Sequence, residues 1–169
     1  GTGSSLLGLF SLVNFSIMQE RDVANSLKTV LKNKELIEAS VYLREPILAW
    51  DFRPPLKKYL AAFLYANKLA IKEIIGEIFE EEEKKISEVY EGIMRAVANG
   101  KRVSTEISTY LFSKKIIPKD NPGYIQKYLD TLVKIGILKK FNVFGHKRKF
   151  VYMHVSPLFD LHFYLDEKY

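Results

Sequence analysis

A chain of 169 residues with 47% hydrophobic residues is long enough to bury one sizeable core, and its 27% charged residues without a low-complexity tract argue against disorder. The lack of cysteine excludes disulfides, thiolate nucleophiles and Cys-based zinc sites, and favours a cytoplasmic location. The net charge of +6 is concentrated, because residues 101–155 carry twelve Lys and Arg against three Asp and Glu. We therefore expect one strongly positive surface.

The first 82 residues predict a helical segment. The apolar run Leu6 to Met18 is interrupted by polar residues and is too short to span a bilayer, so it predicts a buried helix and no membrane partner. Two apolar stripes at helical spacing follow it. The first consists of Val23, Leu27, Val30 and Leu31, and the second of Leu36, Ile37, Val41 and Leu43.

Three prolines punctuate the next stretch. Pro46 and the pair Pro54-Pro55 predict turns, and Trp50 between them is interpreted as a core anchor rather than a ligand-stacking group. A helix is predicted from the proline pair to about Asn67, and a second one from Leu69 to Lys85. The run Glu80 to Glu83 points around the helix axis, which favours a solvated face over a metal cage.

The second predicted unit, residues 83–169, begins with three amphipathic helices. The first carries Val89, Tyr90, Ile93, Met94 and Val97 and is closed by Gly100. Ser104 or Thr105 is predicted to cap the second helix, with Glu106 near its positive end. The third helix starts near Pro122 and ends at Gly136. Its inward stripe is Ile125, Tyr128, Leu129, Leu132 and Val133.

Two short β-like runs complete the pattern, Leu138 to Phe144 and Phe150 to Val155. Between them lies Gly145 followed by four basic or potentially basic residues, which predicts a basic hairpin turn. Three helices, a strand, a basic turn and a strand form the order of a winged helix-turn-helix. The predicted fold class is therefore mostly α (α+β), a helical segment followed by a winged helix with a small β-hairpin wing.

This unit resembles the winged-helix part that follows the nucleotide-binding core in the archaeal ATPase family of P-loop NTPases, which is related to AAA-type and STAND proteins. The resemblance covers roughly residues 83 to 165. It is carried by Val89–Lys101, Glu106-Ile107, Tyr128–Leu138 and Ser156–Asp160. It implies a winged helix that binds DNA or acts as an interaction module of such an ATPase, with a partner ATPase domain.

No catalytic constellation accompanies that resemblance. At the Gly100-Lys101 pair, Arg95 stands where a phosphate-binding loop needs glycine and Arg102 where it needs Ser or Thr. The three histidines fall in the wing, a strand and a helix without clustered carboxylates, which favours structural roles. We expect no enzymatic activity, no metal and no cofactor for this chain.

DNA binding uses the residues that the segment does have. The third helix is predicted to enter the major groove, and the wing to contact the adjacent minor groove or backbone. The predicted phosphate contacts are Lys101, Arg102, Ser104, Thr105, His146, Lys147, Arg148 and Lys149. The predicted base-reading residues and their neighbours on the exposed helix face are Asn121, Tyr124, Gln126, Lys127, Thr131 and Lys134. Lys114, Lys115, Lys139 and Lys140 rank lower.

Two interpretations stay open at this point. The first is a non-catalytic double-stranded DNA-binding protein with a role in transcription regulation, and the second is a protein-interaction or oligomerisation module. Residues 1–82 are interpreted as a dimerisation or lid-like bundle, or as part of a larger partner-binding domain. A homodimer would present two recognition helices about 34 Å apart to a palindromic site.

Overall fold

A computed structural model describes residues 17–81, 86–146 and 149–168. Most of the described residues are helical, and the one sheet that they form is a two-stranded antiparallel hairpin, so the predicted fold class is confirmed. The helices are α1 (Glu20–Leu27), α2 (Asn33–Tyr42), α3 (Pro46–Ala49), α4 (Leu56–Glu81), α5 (Glu88–Ala98), α6 (Ser104–Ser113), α7 (Pro122–Lys134) and α8 (Pro157–Lys168). The strands are β1 (Leu138–Asn142) and β2 (Phe150–His154).

The predicted N-terminal helix at Leu6 to Met18 lies outside the described residues, except for its last two positions, which are not helical. The first described residues lie beside the end of α2. The Met18 amide donates a hydrogen bond to the Arg44 carbonyl at 2.9 Å, and Arg44 Nε donates one to the Met18 carbonyl at 2.7 Å. Within the three described ranges, no helix combines the length and the apolarity needed to cross a membrane.

The two stripes predicted for α1 and α2 are only partly correct. Val23, Leu31 and Leu43 are buried, but Val30, Ile37 and Val41 are exposed. The reason is that α2 packs through its small residues, Ala39 and Ser40, which let its backbone approach the core closely and turn the larger side chains outward.

The interpretation of Trp50 as a core anchor was wrong, because its side chain is 93% exposed. The single turn of α3 buries Leu48 instead, and Trp50 follows as the residue that ends the helix. Phe52 supplies the aromatic contact of this region, with its ring 5.3 Å from that of Tyr59 in an edge-to-face arrangement.

The two helices predicted between residues 56 and 85 are one helix over their described part, α4. No glycine or proline separates Asn67 from Leu69, so nothing in the sequence breaks the backbone hydrogen bonding there. The buried residues also stay on one continuous stripe. These are Leu56, Leu60, Leu64, Ile71, Ile75 and Phe79.

Helices α5, α6 and α7 pack together as predicted, and the left-handed residues Gly100 and Gly136 follow the ends of α5 and α7. The predicted cap of α6 was wrong in detail, since Val103 occupies the cap position and Ser104 is already helical. Glu106 replaces a hydroxyl cap, because its Oε2 accepts a hydrogen bond from the Arg102 amide at 3.0 Å.

The hairpin is shorter than predicted, and its register pairs Leu138 with His154 and Lys140 with Tyr152. Side chains alternate between its two faces, so Leu138 and Tyr152 are buried while Phe141 and Met153 are exposed on the other face. Gly145, with φ of +77°, supplies the left-handed turn that the sequence predicted.

Helix α8 contacts α2, α4, α5 and β2. His154 and His162 are both buried beside Phe163, which α8 supplies, and His154 Nδ1 lies 2.8 Å from Asp160 Oδ1. Burial lowers the pKa of His162, because the interior disfavours the charged imidazolium. These contacts agree with structural roles for the two histidines.

Candidate nucleic-acid interface

The link between α5 and α6 is held from two sides. The Tyr152 amide of β2 donates to the Arg102 carbonyl at 2.8 Å, while Glu106 of α6 accepts from the Arg102 amide. The backbone beneath Lys101 and Arg102 is therefore fixed to both the hairpin and α6, and both of these basic residues are exposed. Such a fixed pair of cations suits contact with an anionic backbone.

Helix α7 presents the outer face that the sequence predicted. Asn121 caps the helix by accepting a hydrogen bond from the Gly123 amide at 2.9 Å, so its side chain has a structural role besides the predicted contact with bases. Tyr124 and Lys127 are exposed one turn apart, and Lys127 Nζ lies 4.9 Å from the centre of the Tyr128 ring. This end of α7 is polar, cationic and aromatic.

Gln126 lies on the side of α7 that faces the hairpin, and it is half-buried. Its Nε2 donates to Asp130 Oδ1 at 2.9 Å and lies 3.5 Å from Tyr152 Oη. Asp130 in turn lies 4.0 Å from Lys140 Nζ. Gln126 is thus held by neighbours on α7 and β2, which fixes the direction of its amide.

A groove lies between the start of α6, α7 and the inner face of the hairpin, which is the face that carries Lys140 and Tyr152. It brings together four of the predicted site residues and one lysine that the sequence ranked lower. The lining residues are Val103, Ser104, Thr105, Gln126, Lys140, Lys149, Phe150 and Tyr152. Hydroxyl, amide and ammonium groups therefore converge on one open surface.

Lys140 is the site residue that sequence reasoning missed. Its Nζ lies 4.0 Å from the centre of the Phe150 ring, which holds the side chain over the groove. The alternation of side chains along β1 indicates its position, because Lys140 is two residues from the buried Leu138 and therefore lies on the same face of the strand. By contrast, Lys114 pairs with Glu167 of α8 at 2.7 Å, which agrees with its low rank.

The other predicted residues that the structure describes do not line the groove. Lys101 lines a neighbouring depression along α6, and Thr105 lines both this depression and the groove. Thr131 donates to the Lys127 carbonyl at 2.9 Å, and Lys134 is exposed in the last turn of α7. His146 is exposed at the hairpin turn. Lys147 and Arg148 lie outside the described residues.

The three carboxylates of residues 101–155 all have partners. Glu106 accepts from backbone amides, and Asp120 accepts from Ser108 Oγ at 2.5 Å and from Thr109 Oγ1 at 2.9 Å. Asp130 accepts from Gln126. The hydroxyl donors hold Asp120 in the loop before α7, so the acidic groups support the architecture of this basic surface.

The described residues contain no group of three or more His, Asp or Glu side chains that could hold a metal ion. Comparison with family models, with curated proteins and with solved structures finds no match for this chain.

Proposed function

We propose that this chain is a non-catalytic double-stranded DNA-binding protein, with α7 in the major groove and the hairpin over the adjacent minor groove or backbone. The observation that carries the proposal is the groove between α6, α7 and the hairpin, where Lys140 and Lys149 flank the fixed amide of Gln126. Ammonium groups neutralise phosphates, and an amide held in one direction suits a base edge.

Within this proposal, the exposed Lys101 and Arg102 contact one phosphate backbone, and Tyr124 and Lys127 extend the contact along α7. The same proposal includes a role in transcription regulation and a cytoplasmic location. A homodimer, or association with a partner ATPase domain, would provide a second binding surface. The absence of catalysis remains a prediction.

The test is a titration of mixed-sequence duplex at several salt concentrations, with the wild-type chain and with the double variant Lys140→Gln and Lys149→Gln. Each phosphate contact contributes about 0.9 to the slope of log affinity against log salt concentration. Losing two contacts should therefore weaken binding at low salt and reduce the magnitude of the slope by about 2.

The matched control is Lys57→Gln with Lys58→Gln, because both lysines are exposed on α4 and the change in net charge is the same. An equal reduction of the slope by this control would show that net charge, rather than the groove, determines binding. If the wild-type chain binds no duplex even at low salt, the DNA-binding proposal fails.

A second candidate is a protein-docking module, and the outer face of the hairpin favours it. Phe141 and Met153 are exposed there, and Val151 pairs with Phe141 across the strands. Such a cluster of apolar side chains suits contact with another protein. Failure to bind duplex DNA, together with concentration-dependent self-association that Phe141→Ser abolishes, would support this alternative.

A further inference from the structure

One aromatic side chain projects from the tip of the hairpin. The Val143 amide donates to the Lys149 carbonyl at 2.9 Å, and the His146 amide donates to the Val143 carbonyl at 3.0 Å. The second bond closes a four-residue turn from Val143 to His146, in which Phe144 is the second residue. Its side chain is 101% exposed, so the ring is fully available to a partner.

The other two phenylalanines of the hairpin differ from it. Lys139 Nζ lies 5.4 Å from the centre of the Phe141 ring, and Lys140 Nζ lies 4.0 Å from that of Phe150. Each of these rings therefore has a cation over one face, whereas Phe144 has no ring or cation contact with the part of the chain that the structure describes. Phe144 contributes nothing visible to the packing of the hairpin.

The exposed ring and the groove lysines Lys140 and Lys149 belong to the same hairpin, so a group able to stack on a nucleobase and groups able to contact phosphates share one element. Aromatic side chains stack on bases whose faces are open, while bases inside a continuous duplex are covered on both faces by their neighbours. Inserting a ring there first requires two base pairs to separate, which costs free energy. A base at a duplex end or in a single strand needs little or no such separation.

We propose that Phe144 is a stacking wedge for an open nucleobase, so that the preferred ligand is a junction between double-stranded and single-stranded DNA rather than continuous duplex. This inference rests on the proposed DNA-binding function. The groove holds the duplex part through Lys140 and Lys149, while Phe144 contacts the first base beyond the last pair.

The position of Phe144 in the hairpin supports this division. Lys140 lies within β1 and Lys149 directly precedes β2, whereas Phe144 lies in the turn after the end of β1 at Asn142. The ring is therefore at the turn, beyond the residues that line the groove.

The experiment compares two DNA ligands of the same sequence, a forked duplex with single-stranded arms and a relaxed, covalently closed circle. Affinity is measured per site for the wild-type chain, for Phe144→Ala and for Phe144→Trp. The wild-type chain and Phe144→Trp should prefer the fork by about tenfold, since both rings stack, and Phe144→Ala should bind both ligands equally. Phe112→Ala removes an exposed aromatic from α6 and serves as the control that keeps the preference.

A 2-aminopurine base at the junction gives a second readout, because its fluorescence reports stacking directly. Its emission should change on binding of the wild-type chain and much less with Phe144→Ala. Equal affinity of the wild-type chain for fork and circle would overturn the wedge while leaving DNA binding intact, as would a preference that survives in Phe144→Ala. Failure of the wild-type chain to bind either ligand would instead reject the proposed function and the wedge together.

Discussion

Replacing Phe79 with alanine is expected to lower the free energy of unfolding by about 3–5 kcal/mol, the usual cost of removing a large aromatic side chain from a core. Phe79 is 1% exposed, near the end of α4. Its ring meets that of Tyr90 edge-to-face at 5.1 Å, and Tyr90 in turn meets Tyr128 of α7 at 5.0 Å. Alanine would leave a cavity beside Tyr90.

The matched control is Tyr65→Ala on the same helix, where the side chain is 89% exposed. Surface changes of this kind usually alter the free energy of unfolding by less than about 0.5 kcal/mol. Urea unfolding of the three proteins measures both effects. Similar losses for the two variants would mean that Phe79 is not a core residue and that α4 does not support α7 through Tyr90.

Replacing Arg95 with methionine is expected to cost about 2–3 kcal/mol near neutral pH, because it removes hydrogen bonds to charged groups in a partly buried site. Arg95 Nε donates to Asp166 Oδ2 at 3.0 Å, and its Nη2 lies 2.9 Å from Glu91 Oε2. Methionine retains most of the aliphatic volume. Lys68 remains 3.7 Å from Asp166 and limits the loss.

The effect of this variant should depend on pH in a defined direction. Burial alone would raise the pKa of Asp166, but the hydrogen bond from Arg95 and the charges of Arg95, Lys72 and Lys68 outweigh it and lower the pKa. A lowered pKa in the folded state stabilises the protein above the ordinary value of 3.8, and this contribution is lost as the pH falls through the folded-state pKa. The difference between wild type and variant should therefore shrink below about pH 4.

Urea unfolding at about pH 7 and about pH 3 measures this change. The control is Arg53→Met, since Arg53 pairs with Asp51 at 3.2 Å on the open surface, and exposed pairs contribute only about 0.2–1 kcal/mol. A difference between wild type and Arg95→Met that is equally large at both pH values would show that its cost comes from lost packing rather than from the charge on Asp166.

The sequence predicted the fold best where local signals agreed. The apolar stripe of α7, its Asn-Pro start and the glycine after its end all indicated the same helix, and Ile125, Leu129 and Leu132 are indeed buried. The hairpin followed from two β-like runs around Gly145. In both places, the backbone preferences of the residues and the hydrophobic pattern specify the same secondary structure.

The errors arose where tertiary packing decides between equivalent local choices. A large aromatic residue such as Trp50 is usually buried. In this structure Leu48 and Phe52 make the packing contacts of the segment around α3, and Trp50 between them is exposed. Alternation along β1 places Lys140 on the same face as the buried Leu138, but only the packed structure shows that this face borders the groove. The contact between Gln126 Nε2 and Tyr152 Oη could not be predicted from the sequence either, because the two residues are 26 positions apart.

Helix α8 has a consequence for how this chain is made. It supplies the buried residues Leu158, Phe159 and Phe163, and it contacts α2, α4 and α5, which are synthesised much earlier. During synthesis the apolar faces of those helices stay uncovered until residues beyond Pro157 have left the ribosome. A chain that lacked α8 would expose Ile75 and Met94, which lie beside Phe163, and exposed apolar surface makes a chain prone to aggregate. The described core is therefore complete only once α8 has docked.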